Sequence, residues 1–314
     1  MTDISRRNFI RRVGATSAAL PALSTALAAQ AKGGIPKRVL GRTKREVSIL
    51  AFGGGSRFLA YKSEEEGIQT LHRALDLGIT YVDSSTDYGK GDSEIRIGKA
   101  LGARRKDIFL ATKADLRDYD GVMRTLEQSL KRMQIDYLDL FHLHGLGPMA
   151  DLEKIEKEGG LKALYKAREQ KMATFIGMSC HQEGAVLKTA IERHDLDCVQ
   201  MALNASRANQ FEELALPAAR KKNLGVIAMK IAAQDKIVGA GAGKTGIESL
   251  LRYTLSLPVT AAVIGMPKLE MLEQNVAIAR AFKPLQPAEM DGIYRQVAPS
   301  QAAVARFFSD HLDA

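Results

Sequence analysis

From residue 48 onward, short apolar runs alternate along the chain with longer stretches in which apolar side chains recur every three or four positions. The runs near 48–52, 79–83, 108–112, 137–143, 174–178, 197–200, 225–229 and 261–264 predict strands. The stretches near 64–77, 93–101, 120–133, 160–170, 183–192, 211–222, 246–256 and 269–280 carry the helical period instead. Eight strand-then-helix units, about 25 to 35 residues apart and joined without linkers, predict one α/β domain closed as a (β/α)8 TIM barrel over residues 37–283. Ahead of the first unit, residues 38–48 predict a small hairpin closing the bottom of the barrel. The tail, 284–314, predicts a helical extension packed outside it.

In such a barrel the carboxyl ends of the strands face one shared mouth, so polar residues that close successive apolar runs converge there. Asp83 closes Ile-Thr-Tyr-Val, Lys113 closes Ile-Phe-Leu-Ala-Thr, and His144 closes Tyr-Leu-Asp-Leu-Phe-His-Leu. Tyr88 stands in the loop after the first of these runs. An ammonium beside a phenol favours the phenolate and pulls the phenol pKa down from about 10, while a carboxylate holds the ammonium in place. Together the four residues make a candidate proton donor for a carbonyl oxygen at neutral pH. Each alone has an ordinary alternative: a surface tyrosine, a turn aspartate, a solvated rim lysine, a satisfied core histidine. Their occurrence together at successive strand ends is what points to catalysis.

Two other patterns compete. His142 and His144 are two apart on one strand and so face the same way. With His181 and Lys113 they suggest a metal-dependent hydrolase barrel. That chemistry calls for paired histidines on the first strand and an aspartate ending the last. Here the first strand ends in Gly53-Gly54-Gly55 and the last in Gly265-Met266-Pro267. The run Gly239-Ala-Gly241-Ala-Gly243-Lys244-Thr245 invites a phosphate-loop reading, but Val238 stands where that pattern needs its first glycine, and no apolar strand directly precedes it. A flexible loop after the seventh strand is the reading it supports.

Residues 1–31 start with Arg6-Arg7-Asn-Phe9-Ile10-Arg11-Arg12, continue into an Ala-rich apolar stretch, and offer small-residue cleavage sites at Ala28 and Ala31. The paired arginines followed by Phe9 resemble a twin-arginine export signal, the alternative being a basic N-terminal arm. That resemblance implies recognition by the twin-arginine export machinery, a periplasmic destination, and transport of an already folded chain with any cofactor in place. No other stretch is apolar and long enough to span a membrane, so no stable membrane insertion is expected after cleavage. The formal charge is +9; residues 1–31 carry four arginines and one aspartate, leaving +6 on the rest. No block of like charges accompanies this excess, which argues against a nucleic-acid partner. Cys180 and Cys198, the two cysteines, read as buried thiols, and two thiolates do not ligate a four-iron cluster.

From about Leu40 to Ala279 the chain resembles the aldo/keto reductase superfamily. The resemblance rests on Gly41-Arg-Thr, on Val82-Asp83-Ser-Ser-Thr-Asp-Tyr88-Gly89 followed by Ser93-Glu94 and Ile97-Gly98-Lys-Ala-Leu101, on Lys113, and on Tyr137-Leu-Asp-Leu-Phe-His-Leu-His144. It implies a nicotinamide-dependent oxidoreductase acting on a small carbonyl or alcohol. Tyr88 is then the acid that protonates the carbonyl oxygen, Lys113 lowers its pKa, Asp83 pairs with Lys113, and His144 orients the carbonyl. A nicotinamide-binding barrel without turnover, acting as a sensor or subunit, is the alternative within the same resemblance.

The implied cofactor positions depart from the family pattern. Ser179 and Gln200 resemble the residues that hold the nicotinamide carboxamide, but Cys180 replaces the usual asparagine. Met229, followed by Lys230, stands where many members place an aromatic ring, and methionine can pack on the nicotinamide through its polarizable sulfur. Gly265, Met266, Lys268, Gln274 and Asn275 resemble the site for the adenosine end. Many NADP-preferring members carry Lys and Ser at the positions of Gly265 and Met266, and Arg at that of Met271. Lys268 is then the cation left for a 2′-phosphate, without arginine's bidentate geometry. NADP is favoured on family habit, with NAD close behind. The substrate itself is not specified, since the loops that would choose it carry no diagnostic residues.

Overall fold

The computed structural model describes residues 33–309; the segment read as an export signal lies outside them. Strands β1 (Lys37–Val39) and β2 (Glu46–Ser48) pair antiparallel as the expected hairpin. Leu40 in its turn packs against Gly225 and Cys198 at the starts of two barrel strands, which plugs the lower end. Eight further strands follow: β3 (Leu50–Gly53), β4 (Tyr81–Asp83), β5 (Phe109–Ala114), β6 (Leu138–Leu143), β7 (Ala173–Cys180), β8 (Cys198–Ala202), β9 (Gly225–Met229) and β10 (Ala261–Ile264). They run parallel in sequence order, and β10 pairs back onto β3, so the sheet has no edge and the chain is a (β/α)8 barrel.

Strand periodicity sorts each run onto two faces. Ala51, Tyr81, Phe109, Ala111, Leu140, Phe175, Cys198, Ile227, Ala261 and Val263 pack together inside the barrel. Their neighbours, such as Leu50, Phe52, Val82, Leu110, Phe141, Ile176, Met178, Val199 and Val226, belong to the outer core under the helices. In the inner layer Tyr81 meets Phe109 edge-on at 5.3 Å between centroids, and Phe109 stacks on Phe175 at 6.2 Å. Two residues beyond this plug, on the same face, come Gly53, Asp83, Lys113, His142, Gln200, Met229 and Gly265, while Ser179 comes four beyond Phe175 on that face. The period of two is therefore what delivers those side chains to the upper mouth.

Some elements differ from the sequence expectation. An additional helix, Met149–Glu158, precedes Gly160–Glu169, and the two are separated by Gly159, whose left-handed φ of 92° turns the chain between them. The stretch expected as one helix over 211–222 is a π turn, Phe211–Ala215, leading into a helix, Leu216–Lys221. Pro217 explains the irregularity, because it has no N–H to donate to the preceding turn. Strand β5 also runs past its expected end, so Lys113 lies within the strand and pairs in register with His142.

The helices Pro287–Val297 and Gln301–Ser309 pack outside the barrel, with Val297, Val304 and Phe308 buried. They also reach the glycine-rich loop, where Ser300 Oγ donates to the Gly243 carbonyl at 2.9 Å and Gln296 Nε2 donates to the Lys244 carbonyl at 3.0 Å. Gly239, Gly241 and Gly243 all have positive φ, which suits an irregular connection.

Candidate active site

Lys113 is wholly buried in the barrel mouth, an expensive location for an ammonium unless it is paired. Its Nζ donates to Asp83 Oδ2 at 2.7 Å and to the Ser84 carbonyl at 2.6 Å. The same Asp83 oxygen accepts a hydrogen bond from Gln200 Nε2 at 3.2 Å. Lys113 Nζ lies 5.2 Å from the centroid of the Tyr88 ring, within cation–π range. Tyr88 is half-buried and begins a tight turn in which Gly89, Lys90 and Gly91 all have positive φ.

That turn is clamped from behind. Arg132 Nη1 donates to Thr86 Oγ1 at 2.7 Å and to the fully buried Glu94 at 3.0 Å, while Thr112 Oγ1 donates to the other Glu94 oxygen at 2.7 Å. A Cβ on Gly91 would lie 2.5 Å from the Arg132 guanidinium carbon, so glycine is required there for the guanidinium to reach the loop.

His144 sits just past the end of β6, buried, with its ring edge-on to Tyr88 at 5.8 Å between centroids. Its Nδ1 lies 2.7 Å from Asp115 Oδ1 and 3.2 Å from Ser85 Oγ. The loop that carries it is held by Arg117, which donates to the carbonyls of His144 and Gly145 and bidentately to Asp151. Asp83, Tyr88, Lys113 and His144, as far as 61 positions apart in sequence, thus meet at one point of the mouth.

Above them a cleft of about 340 Å³ is lined by Gly53, Gly55, Arg57, Asp83, Tyr88, Gln200, Met229, Lys230, Asp235 and Gly265, among others. Of the residues singled out from sequence, Asp83, Tyr88, Gln200, Met229, Lys230 and Gly265 border this cleft. Ser179 is buried in the adjacent wall, where its Oγ accepts a hydrogen bond from the Gly145 N–H at 2.9 Å. Met266, Lys268, Gln274 and Asn275 stand outside the lining. Met266 is buried, with its carbonyl accepting from Tyr61 Oη at 2.7 Å. Lys268 and Gln274 are exposed, and Asn275 is buried on the helix Leu269–Arg280.

Sequence reasoning missed Arg57 and Asp235, which form an ion pair between the loops after β3 and β9, across the cleft wall. It also missed Asp115 and Arg117. The only local signal for Asp115 is its spacing two residues beyond Lys113, which continues the inward face of β5.

Cys180 points away from the cleft, as its position one residue after inward-facing Ser179 requires. Its Sγ lies 3.1 Å from the Leu146 carbonyl. Burial pushes the Cys180 thiol up to about 11 and the Cys198 thiol well above its usual value. At pH 8 only about one Cys180 in a thousand is then a thiolate. Native protein is expected to resist iodoacetamide at pH 8 and to label at both cysteines in denaturant, as read by mass spectrometry.

His142, also fully buried, packs against Gly177, and neither ring nitrogen has a well-formed hydrogen bond. Burial, and then the nearby Lys113 ammonium, hold it well below the usual histidine range, so it is neutral. Among the described residues no group of three or more His, Cys, Asp or Glu side chains is placed to hold a metal ion.

Known proteins share this arrangement of chain. Residues 50–241 match the aldo/keto reductase family. An uncharacterized oxidoreductase of Bacillus subtilis, YqkF, is 27% identical over a 320-residue alignment covering 82% of this chain and 98% of that protein. The L-galactose dehydrogenase of Arabidopsis thaliana is 26% identical, over 80% of this chain and 90% of that protein. Among solved structures, the aldo-keto reductase AKR11C1 of Bacillus halodurans superposes with a TM-score of 0.71 at 23% identity, covering 83% of this chain and 96% of that one. An aldo-keto reductase of Klebsiella pneumoniae in complex with NADPH gives a TM-score of 0.70 at 21% identity, covering 84% and 96%. With most of the barrel matched end to end, the chain belongs to the aldo/keto reductase family of oxidoreductases.

Proposed function

We propose that the protein interconverts a small carbonyl compound and its alcohol with a nicotinamide cofactor, and that Tyr88 is the general acid and base. The observation that carries this reading is the Lys113 ammonium, wholly buried, paired with Asp83 at 2.7 Å and 5.2 Å from the centroid of the Tyr88 ring, with Asp83 and Tyr88 both lining the cleft. A buried cation next to a phenol favours loss of the phenolic proton, and Asp83 keeps that cation fixed. His144, anchored by Asp115, faces the same point and can orient the carbonyl oxygen.

The residues present fit a nicotinamide dinucleotide. Gln200 is buried with Oε1 lacking a partner at the edge of the cleft, which suits the amide donor of a carboxamide. Ser179 and Met229 are the further residues that would hold the nicotinamide end there. Gly53 and Gly265 line the cleft where neighbouring protein atoms leave no room for a side chain, the Ile264 backbone beside Gly53 and Arg57 beside Gly265. Arg57 lies where a side chain at residue 265 would go, with its Cβ 2.7 Å from the position a Gly265 Cβ would take. Arg57, Lys230 and Lys268 are the cations available to the phosphates. Asn275, whose Nδ2 has no hydrogen-bond partner among the described residues, Gln274 and Met266 are the residues that would hold the adenosine end. The cofactor, when bound, supplies the hydride; proton transfer and orientation belong to the chain's own residues. NADP is the preferred partner, and residues 1–31 act as a twin-arginine export signal directing the folded protein to the periplasm.

Titration of the purified protein with NADPH and with NADH, followed by nicotinamide fluorescence and thermal unfolding, tests the reading. Binding of one is expected, with stabilisation of about 2.7 kcal/mol at a hundredfold excess over Kd. Transfer of deuterium from cofactor labelled at the reactive carbon to a panel of aldehydes and ketones is expected to follow. Failure of both cofactors to bind would overturn the proposal, and binding without transfer would favour a sensor role.

A further inference from the structure

The segment that carries Tyr88 is bonded on two sides. Along one edge the Ser84 N–H donates to the Ala111 carbonyl at 2.8 Å and the Thr86 N–H to the Lys113 carbonyl at 3.2 Å, continuing the pairing of β4 with β5 past Asp83. From behind, Arg132 Nη1 donates both to Thr86 Oγ1 at 2.7 Å and to Glu94 Oε2 at 3.0 Å. The remaining oxygen, Glu94 Oε1, accepts from the Thr112 hydroxyl, one residue before Lys113. These bonds close a ring that runs from the Lys113 strand through Glu94 and Arg132 to Thr86, two residues before Tyr88, and back to Lys113.

Glu94 is fully buried. A buried ion pair is a weak source of stability, because desolvation offsets the attraction, but it fixes geometry when each oxygen is bonded from a defined direction. The turn it braces needs holding, since Lys90 takes a left-handed φ of 55°, a conformation that is costly for any residue with a Cβ. We propose that Arg132, held by Glu94, is a positioning residue for Tyr88, acting through the Thr86 hydroxyl to keep the phenol beside the Lys113 ammonium. This rests on the reductase reading above, in which that cation makes Tyr88 a proton donor to the carbonyl oxygen. Charge attraction weakens with distance, so a displaced phenol would hold its proton more tightly and meet the substrate out of line. The charged and titratable groups around Tyr88 are Lys113 from β5, Asp83 from β4, His144 after β6, Arg57, Lys230 and Asp235 along the cleft, and Asp87, Lys90 and Asp92 on its own turn. Cutting the brace at Thr86 alters none of them.

Arg132→Met would strand the Glu94 carboxylate, so the test uses Thr86. Thr86→Val exchanges one hydroxyl for a methyl, changes no charge and leaves the Arg132–Glu94 pair in place, while Thr86→Ser restores the hydroxyl. In cofactor-free protein labelled with 13C at tyrosine Cζ, Tyr88 is identified among eight tyrosines by the signal lost in Tyr88→Phe. Its ionisation midpoint is expected to rise by about 0.5 pH unit or more in Thr86→Val and to return to within about 0.2 unit of the parent in Thr86→Ser. For reduction, kcat is expected to fall about tenfold in Thr86→Val, with KM and cofactor affinity within about twofold, and Thr86→Ser to recover most of the loss. In a Tyr88→Phe background Thr86→Val is expected to cost less than about twofold, because the brace acts through the phenol. An unchanged midpoint or kcat in Thr86→Val, the full loss persisting in the Tyr88→Phe background, or Thr86→Ser as impaired as Thr86→Val would overturn the proposal. Failure of the reductase reading is a separate result: the parent would transfer no hydride, and the phenol midpoints would still be read.

Discussion

Tyr88→Phe is expected to lower carbonyl reduction by about 10²–10⁴-fold while leaving cofactor affinity within about twofold of the parent. The substitution removes one oxygen from a half-buried ring and keeps everything that positions the ring. Lys113 beneath it, the His144 edge at 5.8 Å and the Arg132–Glu94 clamp behind the turn all remain. Phenylalanine offers no proton to a developing alkoxide, so the loss should fall on kcat and kcat/KM alike. Nicotinamide fluorescence titration supplies the control, because the contacts assigned to the carboxamide lie on Ser179 and Gln200, across the mouth. Turnover within a factor of about three of the parent would remove Tyr88 from the proton-transfer step.

Lys113→Met is expected to lower folding stability by about 3–5 kcal/mol as well as to abolish reduction. Methionine matches the length of the lysine stem, so packing changes little. What is lost is the cation that faces Asp83 at 2.7 Å in a place where neither side chain reaches water. Asp83 would keep Gln200 Nε2 on one oxygen, while its other oxygen already lacks a partner. The cost should therefore arise chiefly from the stranded carboxylate. In the double variant Lys113→Met with Asp83→Asn, more than half of the lost stability is expected to return although activity does not. Denaturant unfolding of the parent, Lys113→Met, Asp83→Asn and the double variant measures this directly. A double variant less stable than Lys113→Met alone would show that the pair contributes through packing and not through charge.

How much of this was legible beforehand can be followed residue by residue. The inward set Asp83, Lys113, Ser179, Gln200, Met229 and Gly265 was legible because each lies an even number of positions, two or for Ser179 four, beyond an apolar residue of the inner layer, and alternation along a strand is a local property. Cys180 shows the same rule from the other side. Its place after Ser179 turns it outward, so the missing asparagine is not replaced by a thiol in the cleft. The helix Met149–Glu158 was hidden because Gly159-Gly160 reads as a loop signal when it is a hinge between two helices. The π turn at Phe211–Ala215 was hidden because its apolar spacing imitates a regular helix until Pro217 removes a donor.

The sequence by itself determined the eightfold alternation, the order of the strands and the face on which each catalytic candidate lies, since periodicity and turn chemistry act over a few neighbouring residues. Only the tertiary structure decided which side chains pair. Gln200 reaches Asp83 across 117 residues, Arg57 reaches Asp235 across 178, and Asp115 rather than Ser85 makes the shorter contact with His144. Such pairs depend on strand register, on closure of β10 against β3, and on the paths of the loops above the mouth. Those are set by the packing of the whole barrel, and no stretch of a few residues contains them.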